Sequence, residues 1–299
     1  MTMALRPLPP GLRPDEVEKL RWEAFGHRQK SSILSPDDLV RFTAARGFVL
    51  RLPEAGLHYP SILEAAVGRP LLEHGFDERG RKADGWVRES VASGRLLHAA
   101  VLAQRATLVD RGFVADFFAL SGHQGDLEDH VRAQRRGQLS AEAAALCAWL
   151  VREGRPLAQS ELASLLQMRG ALGARRLRQR LDEAVQRLLV VPVAWRAQEE
   201  SGKGMEPVCD LFPRAFADCV EKGRATSPEA ARQRLACRYL RNVLVEASHE
   251  MSRVLGWADA DTLVALRALE VSGEVGAHPS SRRQRWIFQA TATDLLAEA

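Results

Sequence analysis

SAEAAALCAWLVREG (140–154), PLAQSELASLLQM (156–168) and ARRLRQRLDEAVQRLL (174–189) are three helical patterns in succession. VVPVAW (190–195), a polar turn RAQEESGKG (196–204) and PVCDLF (207–212) follow as strand, turn and strand. Ser140 is a helix-starting residue type, because its hydroxyl satisfies a free backbone N–H, and Gly154 is a stop. Leu162, Leu165 and Leu166 gather on one side of the second pattern. Gly170 and Gly173 read as a break before the third. That third pattern is basic, with Arg175, Arg176, Arg178, Arg180 and Arg187 on it. Leu177, Leu181, Val185 and Leu188 form its opposite, core-facing stripe, and Asp182 and Glu183 offset part of the charge.

Three helices and a hairpin are the order of a helix-turn-helix followed by a wing, and the order recurs. Ser227-Pro228-Glu229 starts a long helix, SPEAARQRLACRYLRNVLVEA, SHEMSRVLG is a short one ending at Gly256, and DADTLVALRALEVSG is a third. EVGA, a turn at HPSSRRQ and RWIFQ complete a second hairpin. Two instances of one order, 85–90 residues apart, mark a structural repeat. The expected fold class is mainly α with short β-hairpins, in tandem winged-helix domains.

Towards the N-terminus, residues 1–14 are an irregular, proline-rich lead-in and a helix is expected from Asp15 to about His27. Ser35-Pro36-Asp37-Asp38 combines an N-cap, a proline in the first turn and acids near the helix dipole; that helix stops at Gly47. Phe48 to Leu52 is a strand or extended link, and Pro60 to Val67 a short helix. Residues 73–85 read as a loop, and Trp86 to Gln104 and Asp110 to Ser121 as helices. The boundaries expected are 15–136 for an N-terminal winged-helix-like domain with extra helices, 137–224 for a central one and 225–299 for a C-terminal one.

The chain has 299 residues, 46% apolar and 27% charged, which is enough for real cores. Only Lys19, Lys30, Lys82, Lys203 and Lys222 among its 42 basic residues are lysines. The arginine fork suits phosphates and guanine edges, although a GC-rich genome produces the same bias. Cys147, Cys209, Cys219 and Cys237 show no C-x-x-C spacing, so neither a zinc nor a redox site is expected. No signal peptide and no membrane span is read. The expected location is a bacterial cytoplasm, associated with the nucleoid.

In a helix-turn-helix the second helix of the motif enters the major groove. Arg176 and Arg180 share one face of that helix, and Arg175 and Arg178 lie close together. Arg282, Arg283 and Arg285 flank Trp286 in the last hairpin, where a wing tip reaches phosphates; Trp286 itself is expected to pack inward. Arg132, Arg135 and Arg136 read as solvated surface. SGHQGDLEDH (121–130) has no known metal-ligand spacing and reads as a plain loop. RGALGARR (169–176) lacks the Lys-Ser/Thr ending of a phosphate loop. His98 falls within the 86–104 helix. No metal and no cofactor is expected.

ARGFV (45–49), PSILEAAVGRP (60–70), RATLVDRGFVADFFALSG (105–122), LSAEA (139–143), PVCDLFPRAF (207–216), EAARQRLACRYL (229–240) and LVALRALEVSGEV (263–275) resemble, in order, stretches of the winged-helix DNA glycosylases that unhook interstrand crosslinks. The resemblance, to this AlkZ/YcaQ-like superfamily and within it to the AlkZ-related branch, covers the chain from about residue 35. It implies three winged helices wrapped around DNA and a function in removing or sensing damaged bases. In the active enzymes a Gln–apolar–Gln or Gln–apolar–Asp triplet follows the Gly-apolar-apolar stretch, holding water and offsetting charge at the sugar. Here Gly47-Phe48-Val49 is followed by Leu50-Arg51-Leu52, so the resemblance implies that the usual catalytic pair is absent and that Arg51 suits a phosphate. Glu54 and Glu64 lie nearby. The expected function is duplex DNA binding in repair or damage recognition by a monomer. The alternatives are an active glycosylase for alkylated or crosslinked bases that uses another carboxylate, and a winged-helix transcriptional regulator.

Overall fold

The computed structural model describes residues 22, 25–27, 33–70, 78–198, 204–277 and 285–288. The chain is mainly helical with small antiparallel sheets, and it divides into two compact units: Met1–Asp84 with Ser227–Ala299, and Gly85–Thr226. Among the described residues no helix is long and apolar enough to cross a membrane.

The second unit contains the three helices and the hairpin of residues 140–212. Its helix Ala141–Glu153 begins where the Ser140 hydroxyl accepts from Ala143 N, and ends at Gly154. The short strand Leu157–Ala158 leads into the helix Gln159–Leu165, and the helix Gly170–Gln186 leads into strands Val190–Ala197 and Met205–Leu211. The second hairpin strand lies in the middle of the sheet, with Leu157–Ala158 on one side and Val190–Ala197 on the other. Pro192 is tolerated because it lies on that edge strand, beside a break in register between Pro192 and Ala194.

Leu146, Cys147, Leu150, Leu162, Leu177, Leu181 and Leu211 meet in one core beneath these elements. Each buried leucine contributes about 2 kcal/mol of transfer free energy, which outweighs the poor intrinsic helicity of a segment beginning with two glycines. Of the expected stripe on the third helix, Leu177, Leu181 and Leu188 are buried and Val185 is half-buried.

Gly170 and Gly173 do not break the chain as expected; both belong to the third helix. A Cβ on Gly173 would stand 2.4 Å from the Met168 carbonyl carbon. The glycine is therefore there for close approach of the helix to the turn before it.

Residues 78–85 and 96–104 also depart from the expected loop and helix. Residues 78–85 are helical, part of the helix Glu78–Ala92, and residues 96–104 are not. Strands Leu96–Leu102 and Arg105–Asp110 form an antiparallel hairpin instead, and His98 lies on a strand. Ala103 and Gln104 both take positive φ, 47° and 58°, the geometry of a two-residue hairpin turn. An Ala-Gln turn lacks the Asn-Gly signature, and Leu96 and Leu97 are both buried, so no alternation marks the strand. The helix Arg111–Ala119 follows, capped by the Asp110 carboxylate.

The first unit joins two distant parts of the sequence. Its helix Pro36–Arg46 is capped by the Ser35 hydroxyl and stops at Gly47 as expected. Strand Phe48–Leu50 is wholly buried, and Ile62–Val67 is the short helix. The helix Pro228–Val243 ends four residues earlier than the pattern indicated, because Leu244 adopts φ 69° and Val245–Ala247 forms a strand.

Phe48, Tyr59 and Tyr239 stack in sequence with centroids 5.9 and 5.2 Å apart. Asn242 Nδ2 donates to the Tyr59 hydroxyl at 2.7 Å and to the Arg46 carbonyl at 2.9 Å. Burial raises the Tyr59 hydroxyl pKa above its ordinary value, so it accepts here as a neutral phenol.

The helices Ser248–Leu255 and Asp259–Val271 complete the C-terminal set, with strands Val275–Ala277 and Arg285–Phe288. Here too the last strand lies in the middle of its sheet, and Trp286 is fully buried, as expected. The expected helix at 15–27 falls largely outside the described residues.

Candidate nucleic-acid interface

The third helix of the second unit positions the arginines named from the sequence. With Leu177, Leu181 and Ala184 buried, the 3.6-residue period turns Arg175, Arg176 and Arg178 outward and leaves Arg180 half-buried. The structure divides these four into two classes.

Arg176 and Arg180 converge on one carboxylate, Glu142, in the first turn of the helix Ala141–Glu153. Arg176 Nε donates to Glu142 Oε2 at 3.0 Å, and Arg180 Nε to the same oxygen at 2.8 Å. Arg180 also reaches Glu183 Oε2 at 3.1 Å. Hydrogen bonds from the two guanidiniums hold the Glu142 carboxyl below the usual carboxylate range. Glu183 in turn accepts from Ser140 N at 2.6 Å and from its hydroxyl at 2.7 Å. Sequence reasoning assigned Glu183 to charge offset and missed Glu142 altogether, because the contact spans 34 residues.

Arg175 and Arg178 are exposed. Arg178 makes a long bond to the Ala174 carbonyl at 3.4 Å, and no ion pair to Arg175 occurs among the described residues. Exposed ion pairs contribute about 0–1 kcal/mol, so even the Glu142 tie is weak enough for a phosphate to replace the carboxylate.

Beside this helix is a cavity of about 400 Å³ lined by Glu142, Leu166, Met168, Arg169, Leu172 and Arg176, among others. Arg169, Leu172 and Gln179 also stand exposed on this surface. The sequence reading weighed Arg169 and Leu172 only as part of a phosphate loop, because the expected break at Gly170 and Gly173 left Leu172 outside the helix.

The hairpin of this unit is anchored to the second helix. Glu206, only 3% exposed, accepts from Ser160 N and Ser160 Oγ at 2.8 Å and from Arg196 Nε at 2.8 Å. The segment 121–130 is likewise structural: Asp129 accepts from Gln124 N at 2.8 Å, Gly125 N at 2.6 Å and Arg132 Nη2 at 2.7 Å. Among the described residues no His, Cys, Asp and Glu group is arranged to hold a metal.

The remaining predicted residues lie in the first unit. Leu50 is fully buried, and Leu52 is 40% exposed. Arg51 is committed to Asp84, which accepts from Nε at 3.0 Å and also from Nη2. Glu64 is 6% exposed; its carboxylate accepts from Ser61 Oγ at 2.9 Å and faces His27 Nε2 at 3.5 Å. Glu54 is half-buried. Arg282 and Arg283 lie outside the described residues, as does the side chain of Arg285.

No family model and no curated protein matches the sequence. Among solved structures the chain is similar to Streptomyces sahachiroi DNA glycosylase AlkZ, with a TM-score of 0.54 and 14% identity over 93% of this chain and 71% of that one. At that identity the likeness is one of fold: the chain shares its architecture with a DNA glycosylase.

Proposed function

We propose that this chain is a duplex DNA-binding protein of the crosslink-glycosylase superfamily, acting in repair or damage recognition. It would carry one winged helix in each of the segments 15–136, 137–224 and 225–299. The observation that carries the reading is the third helix Gly170–Gln186, which turns exposed Arg175, Arg176 and Arg178 outward at the position where a helix-turn-helix meets the major groove. The fold likeness to a DNA glycosylase supports it. Arg175 and Arg178 contact the backbone first; Arg176 and Arg180 follow when a phosphate displaces Glu142. Any contact from Arg282, Arg283 or Arg285 adds to this set.

The chain binds without the polar pair that glycosylases of this kind use. Leu50 and Leu52 offer no hydrogen bond to water, and Arg51 is occupied by Asp84. Glu64, the buried carboxylate nearby, is held by Ser61.

The test is binding of a short fluorescent duplex, followed by anisotropy across a salt series. The expected outcome is micromolar or tighter affinity at about 50 mM salt, falling steeply and linearly on logarithmic axes. Absence of binding at low salt overturns the reading. Incubation with N7-alkylated or crosslinked duplex at enzyme excess separates binding from catalysis: released base would show an active glycosylase.

A further inference from the structure

We propose that Leu172 reads the C5-methyl group of thymine in the major groove, so that duplex binding favours thymine-bearing steps. The proposal rests on the duplex-binding reading above and adds a base preference to it.

Leu172 is 84% exposed, in the first turn of the helix Gly170–Gln186. A single exposed leucine is ordinary on a protein surface. This one is not isolated, because it lines the cavity whose floor includes Leu166 and Met168, both packed against the buried core. The cavity therefore joins Leu172 to two side chains that pack against the core.

Its rim is net cationic: Arg169 and Arg176 line the cavity, its one acid, Glu142, is paired with Arg176 and Arg180, and the first turn of the helix contains no acid. An apolar tip inside a guanidinium rim fits a polyanion that also offers methyl groups, and suits an apolar protein partner poorly.

The spacing sets the chemistry further. Leu172, Arg175 with Arg176, and Gln179 recur at i, i+3/i+4 and i+7, which places them on one face of the helix. Gln179 is exposed as well. On a major-groove floor the three types have distinct complements: the thymine methyl for leucine, guanine O6 and N7 for arginine, and adenine N6 and N7 for glutamine. Of the four base pairs, only those containing thymine present a methyl, and uracil removes it without altering the pairing edge.

That difference is the experiment. Wild type and Leu172→Ala are compared by competition binding on an alternating A·T duplex and on the same duplex with uracil in place of thymine, at one salt concentration and across a salt series. Burying one methyl per contact gives wild type a preference of about fourfold for the thymine duplex. Leu172→Ala should bind both duplexes equally, at the wild-type uracil level, with an unchanged salt slope, since no phosphate contact is lost.

Equal binding of thymine and uracil duplexes by wild type overturns the assignment. So does a thymine preference that persists in Leu172→Ala, or an equal loss on both duplexes. In each of these cases the duplex-binding reading survives, because binding itself is observed. Failure of wild type to bind any duplex removes that reading and this proposal together.

Discussion

The helix Gly170–Gln186 and the helix Asp259–Val271 are each the third helix of the same element order, and each is followed by a hairpin whose second strand is the middle of its sheet. Their chemistry is opposite. The first carries four arginines against Asp182 and Glu183 and has no acid in its first turn. The second opens on Asp259 and Asp261, has Arg267 as its one base, and turns Ala260, Val264 and Val271 to solvent.

Even the tie between third and first helix is reversed. Glu142 of the first helix holds Arg176 and Arg180 of the third in one case, and Arg232 of the first holds Asp261 of the third, at 3.1 Å, in the other. Backbone architecture fixes where a third helix stands. The charges on its outer face decide whether a phosphate backbone is drawn to it or repelled. Acids in the first turn of Asp259–Val271 stabilise that helix against its own dipole, a contribution of about 0.3–1 kcal/mol that Gly170–Gln186 forgoes.

The largest expected effect follows from this contrast. Reversing Arg175 and Arg178 to Glu together should lower duplex affinity by roughly 100-fold or more, since each change replaces attraction by repulsion. Arg267→Glu in the other helix should leave affinity within about twofold. Equal losses in the two variants, read by anisotropy, would erase the distinction between the helices.

Next in size is a stability effect. Gly173→Ala places a methyl against the Met168 backbone and should cost about 2 kcal/mol in urea unfolding. An unshifted midpoint would show that the turn yields easily.

A smaller effect is expected at the shared carboxylate. Glu142→Gln releases Arg176 and leaves Arg180 held by Glu183 alone, and should tighten duplex binding by about 3- to 10-fold at low salt, with a steeper salt slope. Weaker binding would show instead that Glu142 positions these arginines for contact.

The smallest is at the reversed tie. Asp261→Asn should change stability by less than about 1 kcal/mol and leave duplex binding unaltered. A clear gain in affinity would show that the acids of that helix repel DNA at close range.

Helix starts were legible because they depend on local chemistry: Ser35, Ser140 and Ser227 each accept from a backbone N–H three residues on. The arginine face was legible from the 3.6-residue period. The hairpin at 96–110 was not, because Ala103 and Gln104 adopt positive φ without the residues that usually signal it. Gly173 misled for a related reason, since a glycine required by close approach looks in sequence like one that ends a helix. The partition of the arginines into tied and open was hidden as well. It depends on Glu142, more than 30 positions away, and on Asp84, 33 positions from Arg51.

Hydrogen–deuterium exchange of the full chain with and without saturating duplex tests the electropositive third helix most directly. Slowed exchange should appear from the turn at 166–169 through the first turns of Gly170–Gln186, with Asp259–Val271 unchanged. Protection confined to Asp259–Val271, or none in either helix under conditions where the duplex is bound, would contradict the account.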